Sequence, residues 1–426
     1  MYLARIVEHV VRTDGRRVLA GLIRLTGGDF DAAEDALQEA YTRALAAWPR
    51  DGVPDQPGAW LNTVSRRIAL DRIRRNRTTN LPDDFEAVEQ SEAAGAAAAE
   101  SESEDENPSG IEDDRLRLLF VCCHPALSPE ARCTLALRTL GGLTTREIAR
   151  AFVEPEATTA QRLVRAKKKI RNARIPYEVP ARAKLPERVE TVLSVLYFIF
   201  NEGYASTDAP SLLRPDLVAE AIRLARLAVE LLPDQFLPEG AEARGLLALM
   251  LLTDARRSAR ITPEGDFVPL DDQDRTRWNR TQIDEGLALL DEALTRRKAG
   301  PYQIQAAIAA LHARAKTPAD TDWPQIAALY RGLLRVTPTP VVELNAAVAV
   351  GLATGLERGL EWIERLAAHP EMARYHLLPA AKADLLRRLS RFAEAADAYR
   401  DALALVTNPA ERRYLEKRLT QCRDSH

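Results

Sequence analysis

Between residues 83 and 114 the chain carries thirteen acidic side chains and no basic one. Only Phe85, Val88 and Ile111 are large and apolar there. A stretch of that kind buries too little surface to offset the entropy lost on ordering it. One continuous core through the chain is therefore ruled out. Residues 81–114 are predicted to form a flexible acidic linker between separately folded parts. Its charge would also let it compete with nucleic acid for basic surfaces.

The formal charge of the whole chain, -3, hides a segregation. Residues 1–80 carry +3, residues 81–114 carry -13, residues 115–184 carry +10 and residues 185–426 carry -3. Two basic blocks flanking an acidic one point towards nucleic acid. A length of 426 residues exceeds one ordinary core, so two to four domains are expected. Four cysteines, two of them adjacent, make a disulfide framework unlikely to be the basis of the fold and suit a reducing, cytoplasmic setting. The first residues lack the pattern of a secretory signal. The longest apolar run, Val192–Phe200, is too short to span a bilayer.

Outside the linker, apolar residues recur at spacings of three and four, and no strand alternation persists. The fold class is predicted to be all-α. From Ala33, the positions Ala36, Leu37, Ala40, Tyr41, Ala44, Leu45 and Trp48 share one helix face, with Glu34, Asp35, Gln38, Glu39 and Thr42 on the other. Pro49 and Asp51-Gly52 are expected to stop that helix. A second helix, over 59–75, has an apolar side of Leu61, Val64, Ile68 and Ile73. Its other side is basic, with Arg66, Arg67, Arg72, Arg74 and Arg75.

Beyond the linker, Ser128-Pro129 reads as a helix start, and Gly141-Gly142 as its end. Thr144 and Glu147 have the spacing of a capping box and open a short helix to Phe152. A last basic helix covers 157–171, with Leu163, Ala166 and Ile170 as its buried face. Two short helices about a tight turn, the second basic, describe a helix-turn-helix; they also describe a helical hairpin with a solvated basic face. The remaining residues resemble stacked helix pairs starting at Pro301, Pro340, His376 and Pro409, a TPR-like helical array.

The segments Asp31–Trp48 and Pro57–Arg77 resemble region 2 of an extracytoplasmic-function (ECF) RNA polymerase sigma factor of the sigma-70 family. Leu127–Arg171 resembles region 4. The residues Phe200–Tyr204 and the array resemble a subgroup with a C-terminal helical extension. The resemblance implies four parts: 1–80 region 2, 81–114 linker, 115–180 region 4 and 181–426 extension. It implies contact with the clamp helices and flap of core RNA polymerase, the clamp helices meeting Asp31, Glu34, Asp35, Gln38 and Glu39. It implies minus-10 recognition by Trp60, Asn62, Arg66, Arg67, Arg72, Arg74 and Arg75, because opened DNA is held by an aromatic surface beside a basic groove. Trp60 is equally readable as core. It implies minus-35 recognition by Thr158, Gln161, Arg162, Arg165 and Lys168 in the major groove, with Gln161 and Arg165 favoured for bases. Lys167, Lys168, Lys169 and Arg171 would hold phosphates. Thr144 and Thr145 could meet phosphate as well.

Cys122-Cys123-His124 with Cys133 does not have the spacing of a zinc site, so no metal, cofactor or catalysis is expected. The Asn201–Tyr204 segment is read as a helix end with Gly203 as its cap, or as a contact surface for the sigma regions. Asp271–Arg275 is read as a connection packed through Trp278. The competing function is a stand-alone helix-turn-helix DNA-binding regulator with a ligand- or partner-sensing helical domain. In either case the array offers a surface for a regulatory protein.

Overall fold

The computed structural model describes residues 14–79, 114–152, 154–204, 214–232 and 239–424. The acidic segment, apart from Asp114, lies outside them. Regular structure among the described residues is helical, save one isolated antiparallel bridge between Ile261 and Phe267. Contacts divide the chain into two compact units, 1–195 and 196–426.

The first unit holds α1 (Gly15–Leu25), α2 (Phe30–Asp51), α3 (Pro57–Thr79), α4 (Asp114–Cys122), α5 (Pro129–Thr139), α6 (Thr145–Ala151), α7 (Glu156–Asn172) and the start of α8 (Leu185–Tyr204). Helices α1, α2 and α3 pack on one another. Asp29 caps α2 by accepting from the Asp31 and Ala32 amides at 3.1 Å. Ala33, Ala36, Leu37, Ala40, Ala44 and Trp48 are buried on the expected face, Tyr41 is partly buried, and Leu45, expected on the same face, is 52% exposed because it sits at the edge of the stripe. The helix does not stop at Pro49; it runs through it to Asp51, and Gly52 turns the chain at φ 86°. A proline this close to the end removes one hydrogen bond rather than breaking a ladder.

Helix α5 starts as its sequence demands, with the Ser128 Oγ accepting from the Ala131 amide at 3.3 Å. It ends at Thr139, and Gly142 takes the left-handed conformation at φ 71°. The capping box of α6 is complete. The Thr144 amide donates to Glu147 Oε2 at 2.7 Å, and the Glu147 amide donates to Thr144 Oγ1 at 3.2 Å. Helix α7 buries Thr159, Leu163, Ala166 and Ile170.

The second unit continues from the end of α8 into α9 (Pro215–Leu231), α10 (Glu239–Asp254), α11 (Arg257–Arg260), α12 (Arg280–Leu294), α13 (Pro301–Arg314), α14 (Trp323–Val336), α15 (Pro340–Thr354), α16 (Leu356–Leu366), α17 (Leu377–Arg388), α18 (Phe392–Leu405) and α19 (Pro409–Asp424). Most of these helices pack on their sequence neighbours; α10 packs on both α12 and α13. The last pairs share a core that includes Leu344, Leu360, Ile363, Leu386, Tyr399 and Leu415. Glu242 on α10 caps α13 from outside it. Its carboxylate accepts from the amides of Gly300, Tyr302 and Gln303 at 3.1, 2.9 and 3.3 Å and from Gln303 Nε2 at 2.8 Å. A carboxylate there satisfies amides that have no partner within the helix and meets its positive end.

Gly203 is not a helix cap. It lies inside α8 and is buried, and a Cβ there would come within 2.9 Å of Leu217 Cβ and the Val218 amide. Its bareness lets α8 and α9 approach. Tyr204 beside it is also buried, its ring 4.2 Å beneath the Arg260 guanidinium.

Residues 261–274 form a strap. Thr262 and Asp266 close a turn through the Thr262 amide and Asp266 carbonyl at 2.9 Å. The strap's carboxylates then reach far along the chain. Asp266 holds Arg413 at 2.6 Å, Asp271 holds Arg388 at 2.6 Å and Asp272 holds Arg418 at 2.9 Å. Phe267 sits edge-on to Tyr414 at 5.5 Å. Trp278, 3% exposed, closes the segment against Arg275, and Arg275 Nη1 donates to the last carbonyls of the α13 region, His312 and Ala315, at 2.8 and 2.7 Å.

Candidate nucleic-acid interface

Helices α6 and α7, joined by a short turn, pack on each other, and both pack on α5. The buried face of α7 fixes which side chains remain outside. Thr158, Gln161, Arg165, Lys168, Lys169 and Arg171 are exposed. Between Gln161 and Lys168 lies Val164, 64% exposed. It is absent from the sequence-based set because the polar residues around it dominate the pattern. The spacing of Leu163, Ala166 and Ile170 already turns it outward. A cleft of about 340 Å³ runs between α7 and the start of α5, lined by Ser128, Thr158, Gln161, Arg162, Arg165 and Lys169 among others. Arg165 and Lys169, with the amide of Gln161 and the hydroxyls of Ser128 and Thr158, suit a phosphate or a base edge.

Arg162 departs from the expected outward set. Its guanidinium forms a two-pronged ion pair with Glu154, Nη1 to Oε1 at 2.5 Å and Nη2 to Oε2 at 2.6 Å. Nη1 also lies 3.4 Å from Thr134 Oγ1 on α5. The pair is only 23% and 15% exposed. Burial works against the charged carboxylate of Glu154, but hydrogen bonds from Arg162 and Thr159 outweigh it and hold its pKa below the ordinary value. Arg162 therefore ties the turn before α7 to α5 and is not free to enter a groove. Glu154 went unnoticed in the sequence because nothing local marks a turn carboxylate as the partner of a residue eight positions on.

The second basic surface lies on α3. Asn62, Arg66, Arg67, Arg74 and Arg75 are exposed. Trp60 is half-buried and packs edge-to-face on buried Trp48, with ring centroids 5.5 Å apart. It is thus partly core and partly surface. Arg72 is engaged rather than outward: its Nη2 is 2.9 Å from Glu39 Oε2 and its Nη1 is 3.6 Å from Asp35 Oδ2. The hydrogen bond from Arg43 is the main cause holding the Glu39 carboxyl below its usual pKa; burial opposes it, and Arg72 adds to the lowering.

The acidic face of α2 is not uniformly open. Asp35 and Gln38 are exposed. Asp31 and Glu34 instead receive Lys167 from α7, with Nζ 2.9 Å from Asp31 Oδ1 and 3.0 Å from Glu34 Oε1. Arg171 Nη2 adds a looser approach to Asp31 at 3.7 Å. Lys167, placed among phosphate contacts by sequence, is only 12% exposed. Further along α2, Leu45 is 52% exposed, an apolar residue on the same outer side.

Cys122, Cys123 and Cys133 are buried free thiols. Burial pushes the Cys122 and Cys133 thiols up to about 12 and Cys123 upward as well. Cys122 Sγ lies 3.1 Å from Thr139 Oγ1. These are packing residues. No group of three or more His, Cys, Asp or Glu able to hold a metal occurs among the described residues. Nor is any described helix long and apolar enough to cross a membrane.

Three family models match segments of the chain. Residues 10–79 match Sigma-70 region 2, and residues 117–170 match Sigma-70, region 4. Residues 188–294 match a family of unknown function (DUF6596). An uncharacterized protein, R00370, of Rhizobium meliloti is 44% identical over 92% of this chain and 90% of its own length. A probable ECF RNA polymerase sigma factor, SigI, of Mycobacterium tuberculosis is 32% identical over 38% of this chain, which spans about half (53%) of that protein. The helix-turn-helix of α6 and α7 falls within the region 4 match, and α1 to α3 fall within region 2. Both regions stand in order on one all-α chain, which supports a sigma-70 family sigma factor.

Proposed function

We propose that the protein is an ECF-type sigma subunit that binds core RNA polymerase, recognises minus-35 and minus-10 elements and starts transcription, under control of its C-terminal helical extension. The observation that carries this reading is the exposed row Thr158, Gln161, Val164, Arg165 and Lys168 on a helix whose opposite face is buried. Gln161 and Arg165 offer the hydrogen-bonding forks that read adenine and guanine edges; Lys168, Lys169 and Arg171 offer charge to phosphates. Arg66, Arg67, Arg74, Arg75 and Asn62 line the α3 surface beside Trp60, which suits an opened strand. Asp35, Gln38 and Glu39, with Leu45 as an apolar anchor, form the surface offered to polymerase. The four-part division at residues 80, 114 and 180 belongs to the same proposal, and so does a regulatory protein bound at the array.

Run-off transcription with core polymerase on a genomic promoter pool tests it. Full-length protein is compared with Q161A/R165A and with a chain ending at Val195, the boundary of the first compact unit. Specific transcripts that vanish in Q161A/R165A are expected. A change in their yield on truncation gives the sign of the extension's effect. No transcripts, together with tight duplex binding in the absence of polymerase, would transfer the assignment to a stand-alone regulator.

A further inference from the structure

The Lys167 ammonium joins two surfaces that the sigma reading assigns to different partners. It projects from the helix proposed to meet DNA. It ends on Asp31 and Glu34, the first acidic residues of the helix proposed to meet polymerase. The Lys167–Glu34 half of the contact is mostly buried, at 12% and 23% exposure, while Asp31 is 60% exposed; both carboxylates lie within hydrogen-bond distance of Nζ. Three other contacts hold the same parts together. The Tyr177 hydroxyl bridges the Ala20 carbonyl on α1 and the Asp114 carbonyl on α4 at 2.9 and 3.0 Å. Arg24 on α1 pairs with Asp114 at 2.9 Å. The Arg16 side chain lies against Gly142 in the loop before α6, where a Cβ would come within 2.7 Å of its Nε.

We propose that Lys167 is a latch: the acidic face of α2 docks α7 of the same chain in the free protein and gives up that contact to core polymerase. The inference rests on the sigma reading for its second client. A single ammonium cannot serve two carboxylates and a DNA phosphate together, and Asp31 and Glu34 cannot serve both Lys167 and a basic polymerase surface. Polymerase binding and release of α7 are therefore linked, and each favours the other. DNA engagement by the Lys167 side of α7 follows release. The pairing is also an intramolecular competitor whose local concentration no dilution reduces.

Two measurements on the full chain test the latch. In the first, Lys167→Gln removes the ammonium and leaves the acidic face intact. Affinity for core polymerase is read by fluorescence anisotropy. The expected result is a gain of about 5- to 30-fold, the ratio that one or two kcal/mol sets. In the second, Asp31→Cys/Lys167→Cys is treated with a short bismaleimide; the four native cysteines are buried and compete little. Rapid cross-linking is expected in the free protein, and core polymerase should suppress it. Failure to cross-link would show that α7 does not dock on α2 and would overturn the latch. Cross-linking that polymerase does not alter, with no gain in K167Q affinity, would overturn the competition. Either failure leaves the run-off result standing, so the latch and the sigma reading fall separately.

Discussion

Arg162→Ala separates a residue that reads bases from one that positions the helix which reads them. The guanidinium makes two charge-assisted hydrogen bonds to Glu154 in a setting where both side chains are mostly buried. Removing one partner leaves the Glu154 carboxylate under-bonded, with Thr159 as its remaining donor. Losses of this type amount to about 1.5–3 kcal/mol. For a unit of this size that corresponds to a fall in Tm of about 3–12 °C, at roughly 2–4 °C per kcal/mol. Calorimetry of the full chain reads the stability, and selection from a randomised minus-35 library reads the specificity. R162A should weaken all sites by a similar factor and leave base preferences in place. R165A and Q161A should instead relax single positions at unchanged Tm. If R162A relaxed one base position while Tm moved by less than about 1 °C, the positioning argument would be refuted.

Glu242→Ala strips the cap from α13, leaves three amides without their acceptor and leaves Gln303 Nε2 only the Lys298 carbonyl; a loss of about 2–4 kcal/mol is expected in chemical denaturation, and a change below about 0.5 kcal/mol would contradict the capping role. The thiols of Cys122, Cys123 and Cys133, pushed up by burial, should resist an aromatic disulfide reagent at pH 8 until the protein is unfolded; rapid native reaction at Cys123 would show that the pocket opens. His312, buried against Trp323, has its pKa lowered to about 4, first by burial and then by Arg256 and Arg275. The unfolded chain binds that proton more readily, so stability is complete above the ordinary imidazole pKa and declines as pH falls from about 6.5 towards 4. His312→Phe should flatten that part of the stability profile measured by urea denaturation; an unchanged slope would remove His312 as its source.

The helical fold was legible because each helix carries its own instructions. The buried stripe of α2, the Ser128 cap of α5 and the Thr144–Glu147 box of α6 are local patterns, and local patterns survive in a linear reading. The stops were less legible: Pro49 fell inside the last turn of α2, and Gly203 proved to be a point of close helix approach rather than a cap. What the sequence concealed was partnership at long separation. Arg162 looked outward on a helical wheel, yet its charge is spent on Glu154. Arg72 looked like a phosphate contact, yet it meets Asp35 and Glu39. Lys167 and Asp31 are 136 positions apart, and no periodicity links them. Val164 was hidden for the opposite reason, being a neighbour of louder charged residues, and Leu45 was read as buried because apolar spacing does not say how wide the buried stripe of α2 is.

The strap at residues 261–274 changes what kind of object the helical array is. An array whose units touch only their neighbours unravels from its ends, and its parts can be lengthened or shortened one at a time. Here Asp266, Asp271 and Asp272 clasp arginines between 117 and 147 positions further along, in the last helices. The end of the chain is thereby held by its middle. Fraying of α19 must first undo contacts made near α11, so the array gains a closed circuit of cooperativity. Inserting or deleting a helix pair between the two would move Arg388, Arg413 and Arg418 out of reach of the strap. The number of pairs is then fixed by the length of that clasp, and the array is one machined part rather than a stack open to extension.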